Sequence, residues 1–397
     1  MVKASQASVA APPPRESMAH FIDRDAEWNA CSCAADPPAR SVPDCTCHLR
    51  RFLAKEWEAI EAASLCALSI DEYNVNAFHG QNAIPRKGYA HLLHAFVDSF
   101  KQSHVQLNTA VTNVDTTGRL AYLSTTTGIY RASYVISTLP LGILKSPTHC
   151  PSFTPPLPMS MQHAIRALGF GLMNKAVFTF DKPFWPRDKA VFASPFDLSS
   201  DGLGVEMLFL FNLKMAVQST EPHNVLVAYL TDKAAFWLET SDEEYVKDRL
   251  LKEFTRLFVL DAEPPVSSLV ITRWSKEPFT LGSYSFLSTA STFADQDALA
   301  QPVSFGPCLE GLLVFAGEHT QRDHFATVHG ALLSGERAAR DVLGHRKSVG
   351  ECRIAVAEEY QVDKSKGKEF AKSEAAVLLA LILLVFWLDG ELWRSVL

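Results

Sequence analysis

LLVFAGEHT at residues 312–320 and ATVHGALLSG at residues 326–335 describe a strand, a turn and a helix in succession. The first residues are apolar throughout, which favours a strand covered on both faces. Gly317 follows, and a glycine at that point lets a ligand approach the backbone closely. Glu318 then offers a carboxylate suited to the hydroxyls of a sugar or sugar alcohol. A helix is predicted from about Thr327 to Leu343, and its N-terminal N–H groups and dipole favour an anion.

Helical and strand patterns alternate along the rest of the chain, so the sequence predicts an α/β or α+β fold. In the first predicted helix, Phe52–Ala63, Trp57 and Ile60 lie on an apolar face. The Pro-rich stretch Pro151–Pro158 is predicted to be a connection between elements. Helices are predicted at Phe52–Ala63, His91–Phe100, Met159–Leu168 and Asp242–Phe258. Strands are predicted at Val105–Leu107, Ala110–Val114, Leu120–Ser124, Tyr134–Leu139, Lys175–Phe180, Val205–Phe211, Asn224–Leu230, Val266–Trp274 and Leu312–Ala316.

Composition excludes several classes of protein. The 397 residues are enough for two or three domains, and 47% hydrophobic with 20% charged residues excludes a mainly disordered chain. The net charge of −7 argues against direct nucleic-acid binding. Eight cysteines are too few for a disulfide scaffold, and the N-terminus lacks the apolar region of a secretory signal. We therefore expect an intracellular, reducing compartment.

Residues 1–50 are predicted to be a disordered leader, because they contain the run Pro12–Pro14 and no sustained periodicity. Four thiols and an imidazole fall within this leader. One interpretation is a zinc site and the other is a set of free thiols, since zinc sites usually use C-x2-C pairs and these pairs are C-x-C. No other metal site is expected. The residues concerned are Cys31, Cys33, Cys45, Cys47 and His48.

Residues 346–397 form a charged tail that contains a 14-residue apolar run, Ala375–Leu388. A membrane-spanning helix needs about 20 such residues. Three interpretations stay open: a short tail anchor that contacts a membrane, a buried or interfacial helix, and a sequence artefact.

The segments GEHT and TVHGALLSG resemble the C-terminal flavin-binding motif of the flavin-dependent amine oxidases. This family includes monoamine oxidases, polyamine and spermine oxidases, and lysine-specific histone demethylases, and the similarity is greatest to the last two branches. The resemblance implies FAD as cofactor, held by Gly317, Glu318, Thr327 and Val328. Monoamine oxidases have a tyrosine of the substrate site where this chain has Thr327, which argues against that branch and places Thr327 at the substrate as well.

Two further segments resemble cofactor-binding parts of the family. LNTAV at residues 107–111 is similar to the strand beside the FAD adenine, with Val111 as the contact. STLPLG at residues 137–142 is similar to a turn that packs near the cofactor. By this resemblance Thr138, Leu139 and Pro140 belong to the cofactor site.

The catalytic residues implied by the resemblance lie in two other segments. Lys175, in LGFGLMNK at residues 168–175, matches the family's active-site lysine, which holds a water against the flavin N5. Trp274 and Tyr284, in WSKEPFTLGSYS at residues 274–285, match aromatic residues near flavin and substrate. Aromatic faces also attract a cationic amine.

The resemblance also implies a two-domain fold, of which this sequence contains an incomplete version. The substrate domain comprises residues 51–79 and 171–292 with a mixed sheet, and the Rossmann-like FAD domain comprises residues 80–170 and 293–345. The first glycine is Gly80, so residues 1–79 contain no GxGxxG loop for the FAD pyrophosphate. The chain is therefore expected to be a truncated member of the family or a sequence that lacks its start.

Three hypotheses of function follow. The first is an FAD-dependent oxidase that converts a polyamine, or an N-methylated lysine in a peptide, to an imine and uses molecular oxygen to form peroxide. The second is a non-catalytic homologue that binds a partner or a membrane. The third is the same oxidase held at a membrane by residues 375–388.

Overall fold

A computed structural model describes residues 17–19, 55–70, 88–97, 105–216, 223–306 and 309–358. The helices are α1 (residues 55–61), α2 (Gly88–Val97), α3 (Leu141–Lys145), α4 (Met159–Ala167), α5 (Leu213–Ala216), α6 (Asp232–Thr240), α7 (Glu243–Leu257), α8 (Phe293–Ala300) and α9 (Val328–Glu358). The strands are β1 (Val111–Asp115), β2 (Ala121–Thr125), β3 (Gly128–Ala132), β4 (Tyr134–Ser137), β5 (Ser152–Thr154), β6 (Gly169–Phe170), β7 (Met173–Phe180), β8 (Val191–Leu198), β9 (Gly204–Asn212), β10 (Val225–Thr231), β11 (Val266–Ile271), β12 (Ser285–Phe286), β13 (Val303–Phe305) and β14 (Gly311–Phe315).

The largest sheet has the strand order β11-β7-β10-β9-β8, and every neighbouring pair is antiparallel. Side chains alternate across β7, so Ala176, Phe178 and Phe180 share one face and are buried. This face packs against α6 and α7, and together they form the largest apolar cluster of the described residues. Residues 173 and 175 of β7 lie on the opposite face.

Helix α7 confirms the helix predicted at Asp242–Phe258. Asp242 caps its N-terminus, because the carboxylate accepts hydrogen bonds from the backbone N–H groups of Glu244 and Tyr245. Val246, Leu250 and Phe254 lie at helical spacing and are buried against the sheet.

A second, smaller sheet contains the strand at the start of the segment 312–320. Its order is β13-β14-β4, with β14 parallel to β4 and antiparallel to β13. Every residue of β14 is buried, as the apolar run predicts. Ala338 and Val342 of α9 pack on its outer face. A further sheet has four strands in the order β3-β2-β1-β5, and β12 pairs with β6.

Several elements differ from those predicted. No strand forms at 105–107, where Leu107 is exposed, and the Pro-rich connection contains β5, which pairs in parallel with β1. Helix α9 continues to Glu358, well beyond the predicted end. The sequence did not predict β3, β8, α6 or α8. Pro195 interrupts the pattern of β8, and the strand accommodates it because it lies at the edge of its sheet.

The orientation predicted for the first helix was wrong. Trp57 and Ile60 are 38% and 54% exposed, whereas Glu58 is buried. The Glu58 carboxylate accepts hydrogen bonds from Lys55 Nζ at 2.6 Å and from the Leu65 backbone N–H at 3.0 Å. These two contacts compensate the burial of a charged group and set which face of the helix points inward.

Some predictions fall on residues that the structure does not describe, namely the cysteine cluster of the leader and the apolar run 375–388. Residues 17–19 of the leader are described, and there Met18 packs against Leu68 and donates its N–H to the Leu68 carbonyl. Within the described ranges, no helix combines the length and hydrophobicity required to cross a membrane. The same ranges contain no cluster of three or more His, Cys, Asp or Glu residues suited to a metal ion.

Candidate functional site

Gly317 ends the buried strand in a backbone conformation that favours glycine, with φ at 140°. A β-carbon at this position would lie 2.5 Å from Cε1 of His319, so a larger residue would collide with the imidazole. The Gly317 N–H donates a hydrogen bond to Ser334 Oγ at 2.8 Å, which ties the turn to α9. The group packed against this glycine is a protein side chain, and the approach of a ligand to Gly317 stays a prediction.

Glu318 is buried, and its carboxylate connects two distant segments. It accepts hydrogen bonds from the Ser285 N–H at 3.1 Å, the Ser285 hydroxyl at 2.6 Å and the Ala326 N–H at 2.6 Å. Burial raises the pKa of Glu318, and these hydrogen bonds oppose that shift. The sequence predicted ligand hydroxyls as partners of this carboxylate, whereas the protein itself supplies three donors.

Thr327 lies immediately before α9. Its hydroxyl accepts a hydrogen bond from the Gly330 N–H at 3.0 Å and donates one to the His324 carbonyl at 2.6 Å. A β-carbon at position 330 would lie 1.8 Å from that carbonyl oxygen, so this turn requires Gly330. One of the N–H groups expected to face an anion is thus bound by Thr327 itself.

Lys175 lies on β7, between β10 and β11, on the face opposite the main core. Its backbone N–H donates to Thr272 Oγ1 at 2.8 Å, and its carbonyl accepts from the Thr272 N–H at 3.0 Å. Its ammonium group lies 5.5 Å from the centre of the Tyr229 ring, within the range of a cation–π contact. Thr272 therefore fixes the backbone of Lys175 through both its N–H and its carbonyl.

Trp274 begins a short 3-10 helix, Trp274–Lys276, which is separated from the end of β11 by two residues. Tyr284 precedes β12, and its hydroxyl donates to the Ile60 carbonyl at 2.9 Å. Burial, followed by the nearby Glu61 carboxyl, raises the pKa of Tyr284 far above its usual value, and burial raises the pKa of Glu61 to about 7. Tyr284 is therefore a neutral phenol at physiological pH.

Seven of the eleven predicted site residues line one cavity of about 180 Å³. They come from segments that are far apart in sequence and that the sheets bring together. The seven are Thr138, Pro140, Lys175, Trp274, Tyr284, Gly317 and Glu318.

Four predicted residues do not line this cavity. Val111 lies on β1 and is 36% exposed, Leu139 packs against the cluster around β14, and Thr327 and Val328 lie at the start of α9.

Six residues that line the cavity were not predicted from the sequence, and a sequence pattern points to one of them, Met173. Met173 lies two positions before Lys175 on β7, so the period of a strand places both on one face. Phe170, Ser283 and His319 lie inside the quoted motifs, but single-sequence reasoning gave no reason to select them. The six are Phe170, Met173, Thr280, Ser283, His319 and Ala331.

The lining suits part of a flavin. Apolar and aromatic side chains dominate it, with a few polar groups among them, as in most cofactor sites. His319 and Thr280 are 1% and 6% exposed, and within the described residues their Nε2 and Oγ1 atoms have no hydrogen-bond partner. Burial, followed by Arg337, lowers the pKa of His319 to about 4, so the imidazole is neutral at pH 7. Unpaired buried polar atoms are costly, and a ligand with a polar edge would compensate them.

The size of the cavity restricts what it holds. A site for a complete drug-sized ligand usually measures about 300–1,000 Å³. A cavity of about 180 Å³ lies below that range and is too small for a whole dinucleotide.

Comparison with known proteins gives consistent matches. The family model described as "Flavin containing amine oxidoreductase" matches residues 22–343. A Drosophila melanogaster protein named "Possible lysine-specific histone demethylase 1" is 33% identical over 281 residues, which are 66% of this chain and 30% of that protein. The human "Peroxisomal N(1)-acetyl-spermine/spermidine oxidase" is 35% identical over 225 residues, which are 54% of this chain and 43% of that protein. The chain thus spans less than half the length of these two curated relatives.

A solved structure of a putrescine oxidase double mutant is similar at a TM-score of 0.49 and 22% identity. The similarity covers 60% of this chain and 49% of that one.

Proposed function

The chain belongs to the family of flavin-containing amine oxidoreductases, and on that premise we propose that it oxidises an amine to an imine with FAD as its cofactor and releases peroxide. The observation that carries this proposal is the shared cavity of Lys175, Trp274 and Tyr284. Lys175 and Tyr284 are 109 positions apart in the chain, and the three residues come from two different motifs of the family. Their convergence supports one reaction site.

Bound FAD would supply the acceptor for a hydride from the carbon next to the amine nitrogen, and molecular oxygen would take up the two electrons with two protons to give hydrogen peroxide. Of the residues present, Gly317, Thr138, Pro140 and His319 would border the flavin. Water then hydrolyses the imine of the substrate.

The chain's own residues prepare the amine for this reaction. Only a neutral amine has a free lone pair, and the apolar lining disfavours the ammonium form. The charge of Lys175 also favours the neutral form of the substrate amine, because a nearby cation lowers the pKa of an amine. Trp274 and Tyr284 bind and orient the amine with their aromatic faces, and Lys175 orients a water molecule in the cavity.

The proposed substrate class is a polyamine or an N-methylated lysine in a peptide. The names of the relatives cover both chemistries, one a demethylase and the other a spermine/spermidine oxidase. Thr327, where monoamine oxidases have a tyrosine, argues against that branch of the family.

The proposed domain division agrees with the apolar clusters. The cluster around β7 and α7 lies wholly within residues 171–292, the proposed substrate domain. The cluster around β14 draws on residues 121–168 and 287–326, close to the proposed FAD domain. Residues of both proposed domains line the cavity.

A peroxide assay tests the proposal. The purified chain is incubated with FAD and then given spermine, N1-acetylspermine and a dimethyl-lysine peptide, one at a time. We expect peroxide from at least one amine, and we expect Lys175→Met to lose most of that turnover. Lys189→Met, at an exposed lysine outside the cavity, should leave it unchanged. Peroxide from none of these amines, or full turnover by Lys175→Met, would contradict the proposed reaction or the proposed role of Lys175.

A further inference from the structure

Behind the cavity, Asn174 and Glu239 form a buried polar pair that reaches both Lys175 and Trp274. We infer that this pair, the Asn174–Glu239 hub, positions Trp274 beside Lys175 for amine oxidation. The inference rests on the proposed function, and it assigns a role to two residues that do not line the cavity themselves.

Asn174 is fully buried, and its side-chain amide donates two hydrogen bonds and accepts two, which is its full capacity. Nδ2 donates to the Ala235 carbonyl at 3.2 Å and to Glu239 Oε2 at 2.8 Å. Oδ1 accepts from Thr272 Oγ1 at 2.9 Å and from the Trp274 N–H at 3.0 Å. The side chain next to Lys175 therefore holds the backbone of Trp274 directly.

Glu239, on α6, is 2% exposed and fixes the same segment from the other side. Its Oε2 also accepts from the Ser275 N–H at 3.2 Å, and its Oε1 accepts from the Ser275 hydroxyl. Its backbone carbonyl accepts from Lys276 Nζ at 2.7 Å. All three residues of the short helix Trp274–Lys276 are thus tied to Asn174 or Glu239.

Thr272 completes the connection to Lys175. The same hydroxyl that donates to Asn174 accepts the Lys175 N–H at 2.8 Å. Because side chains alternate along a strand, Asn174 points towards α6 while Lys175 lies on the opposite face, at the cavity. One strand thus carries the lysine on one face and the support for the tryptophan on the other.

This arrangement has a consequence for catalysis. The segment after β11 is not in a sheet, so side-chain hydrogen bonds fix it in place of a ladder. Reaction rates depend on placement, and an error of about 1 Å can cost about a hundredfold in rate. Asn174 and Glu239 are therefore positioning residues, which act on the substrate through Trp274.

Two variants of Glu239 separate positioning from simple loss of stability. Glu239→Leu removes the acceptors of Asn174 and Ser275. Glu239→Gln keeps one oxygen for Asn174 Nδ2 and the Ser275 N–H, and its amide can donate to Ser275 Oγ, which is able to accept. We expect the Gln variant to retain the hub.

Glu253→Leu is the matched control. Glu253 is also a buried glutamate on a helix, and it accepts a hydrogen bond from Ser194 Oγ at 2.5 Å, but it does not line the cavity or contact the 272–276 segment. Its loss should lower stability without moving Trp274.

Two readouts are measured on each variant. Hydrogen exchange of the Trp274 and Ser275 amides needs neither flavin nor substrate, and we expect it to be about tenfold faster or more in Glu239→Leu. In the FAD-loaded protein, we expect kcat/KM to fall about tenfold or more in the same variant, with KM raised because Trp274 contacts the amine. Glu239→Gln should stay within about threefold of wild type in both readouts, and Glu253→Leu should leave both unchanged.

The outcomes are distinguishable. Equal amide exchange in Glu239→Leu and wild type, or equal effects of Glu239→Leu and Glu253→Leu, would overturn the hub. Faster exchange with unchanged KM and kcat would overturn its catalytic role. A wild-type chain that binds no flavin and oxidises no amine would overturn the proposed function instead, while the exchange data would still decide whether the hub holds the segment.

Discussion

The carboxylate of Glu318 accepts two hydrogen bonds from Ser285, one from its backbone N–H at 3.1 Å and one from its hydroxyl at 2.6 Å. These residues are 33 positions apart in the chain. The contact fastens the strand after Tyr284 to the turn after Gly317, so two walls of the cavity depend on one buried side chain.

Glu318→Gln should lower the free energy of unfolding by about 1–3 kcal/mol, because the amide group must face one of two backbone N–H donors and leaves it unpaired. Urea denaturation of the chain measures this loss. Ser285→Ala removes only the hydroxyl and should cost less, about 1 kcal/mol. Equal stability of Glu318→Gln and wild type would contradict the contact.

Gly317→Ala should lower the free energy of unfolding by about 1–3 kcal/mol from backbone strain alone, since φ is 140° and the new methyl group would collide with His319. We also expect it to reduce flavin binding, because the methyl group enters the cavity wall. Gly344→Ala is the control. It lies exposed within α9 with open space around it and should gain about 0.5–1 kcal/mol. A stable, flavin-binding Gly317→Ala protein would contradict this description of the turn.

His319 makes stability depend on pH in a defined direction. Its pKa is lowered from 6.5 to about 4, so the folded protein keeps the imidazole neutral while the unfolded chain takes up a proton first. The contribution of the neutral imidazole to the free energy of unfolding is complete above pH 6.5. It is lost as the pH falls from 6.5 towards 4, by at most about 1.4 kcal/mol per pH unit.

His319→Gln tests this dependence, because glutamine is polar but does not titrate. The free energy of unfolding of wild type and variant is measured at pH 8 and at pH 5. Lowering the pH to 5 should destabilise wild type more than the variant. An identical difference at both values would mean that the imidazole does not titrate as described.

The sequence predicted most of the elements that form the site. The alternation of β7, the helix α7 with its apolar face, and the buried run of β14 are local patterns, and each was confirmed. The face of the first helix was predicted wrongly, because the contacts of Glu58 with Lys55 and Leu65 outweigh the apolar pattern of Trp57 and Ile60.

Tertiary contacts account for the parts of the site that the sequence did not predict. Glu239 lies on α6, which was not predicted, and its importance arises from Asn174 and Ser275, 65 and 36 positions away. The partners of Glu318 are likewise distant in sequence. Such pairings depend on how sheets and helices pack, and no single segment contains a signal for them.

The flavin content of the purified chain tests the central claim most directly. The chain is mixed with excess FAD, passed through gel filtration, and its visible absorbance spectrum is recorded in the protein peak. The cavity of Lys175, Trp274 and Tyr284 contains polar atoms of His319 and Thr280 that no described residue pairs, and it predicts flavin that co-elutes in stoichiometric amount. A protein peak without flavin absorbance, from chain that is folded by circular dichroism, would contradict the account.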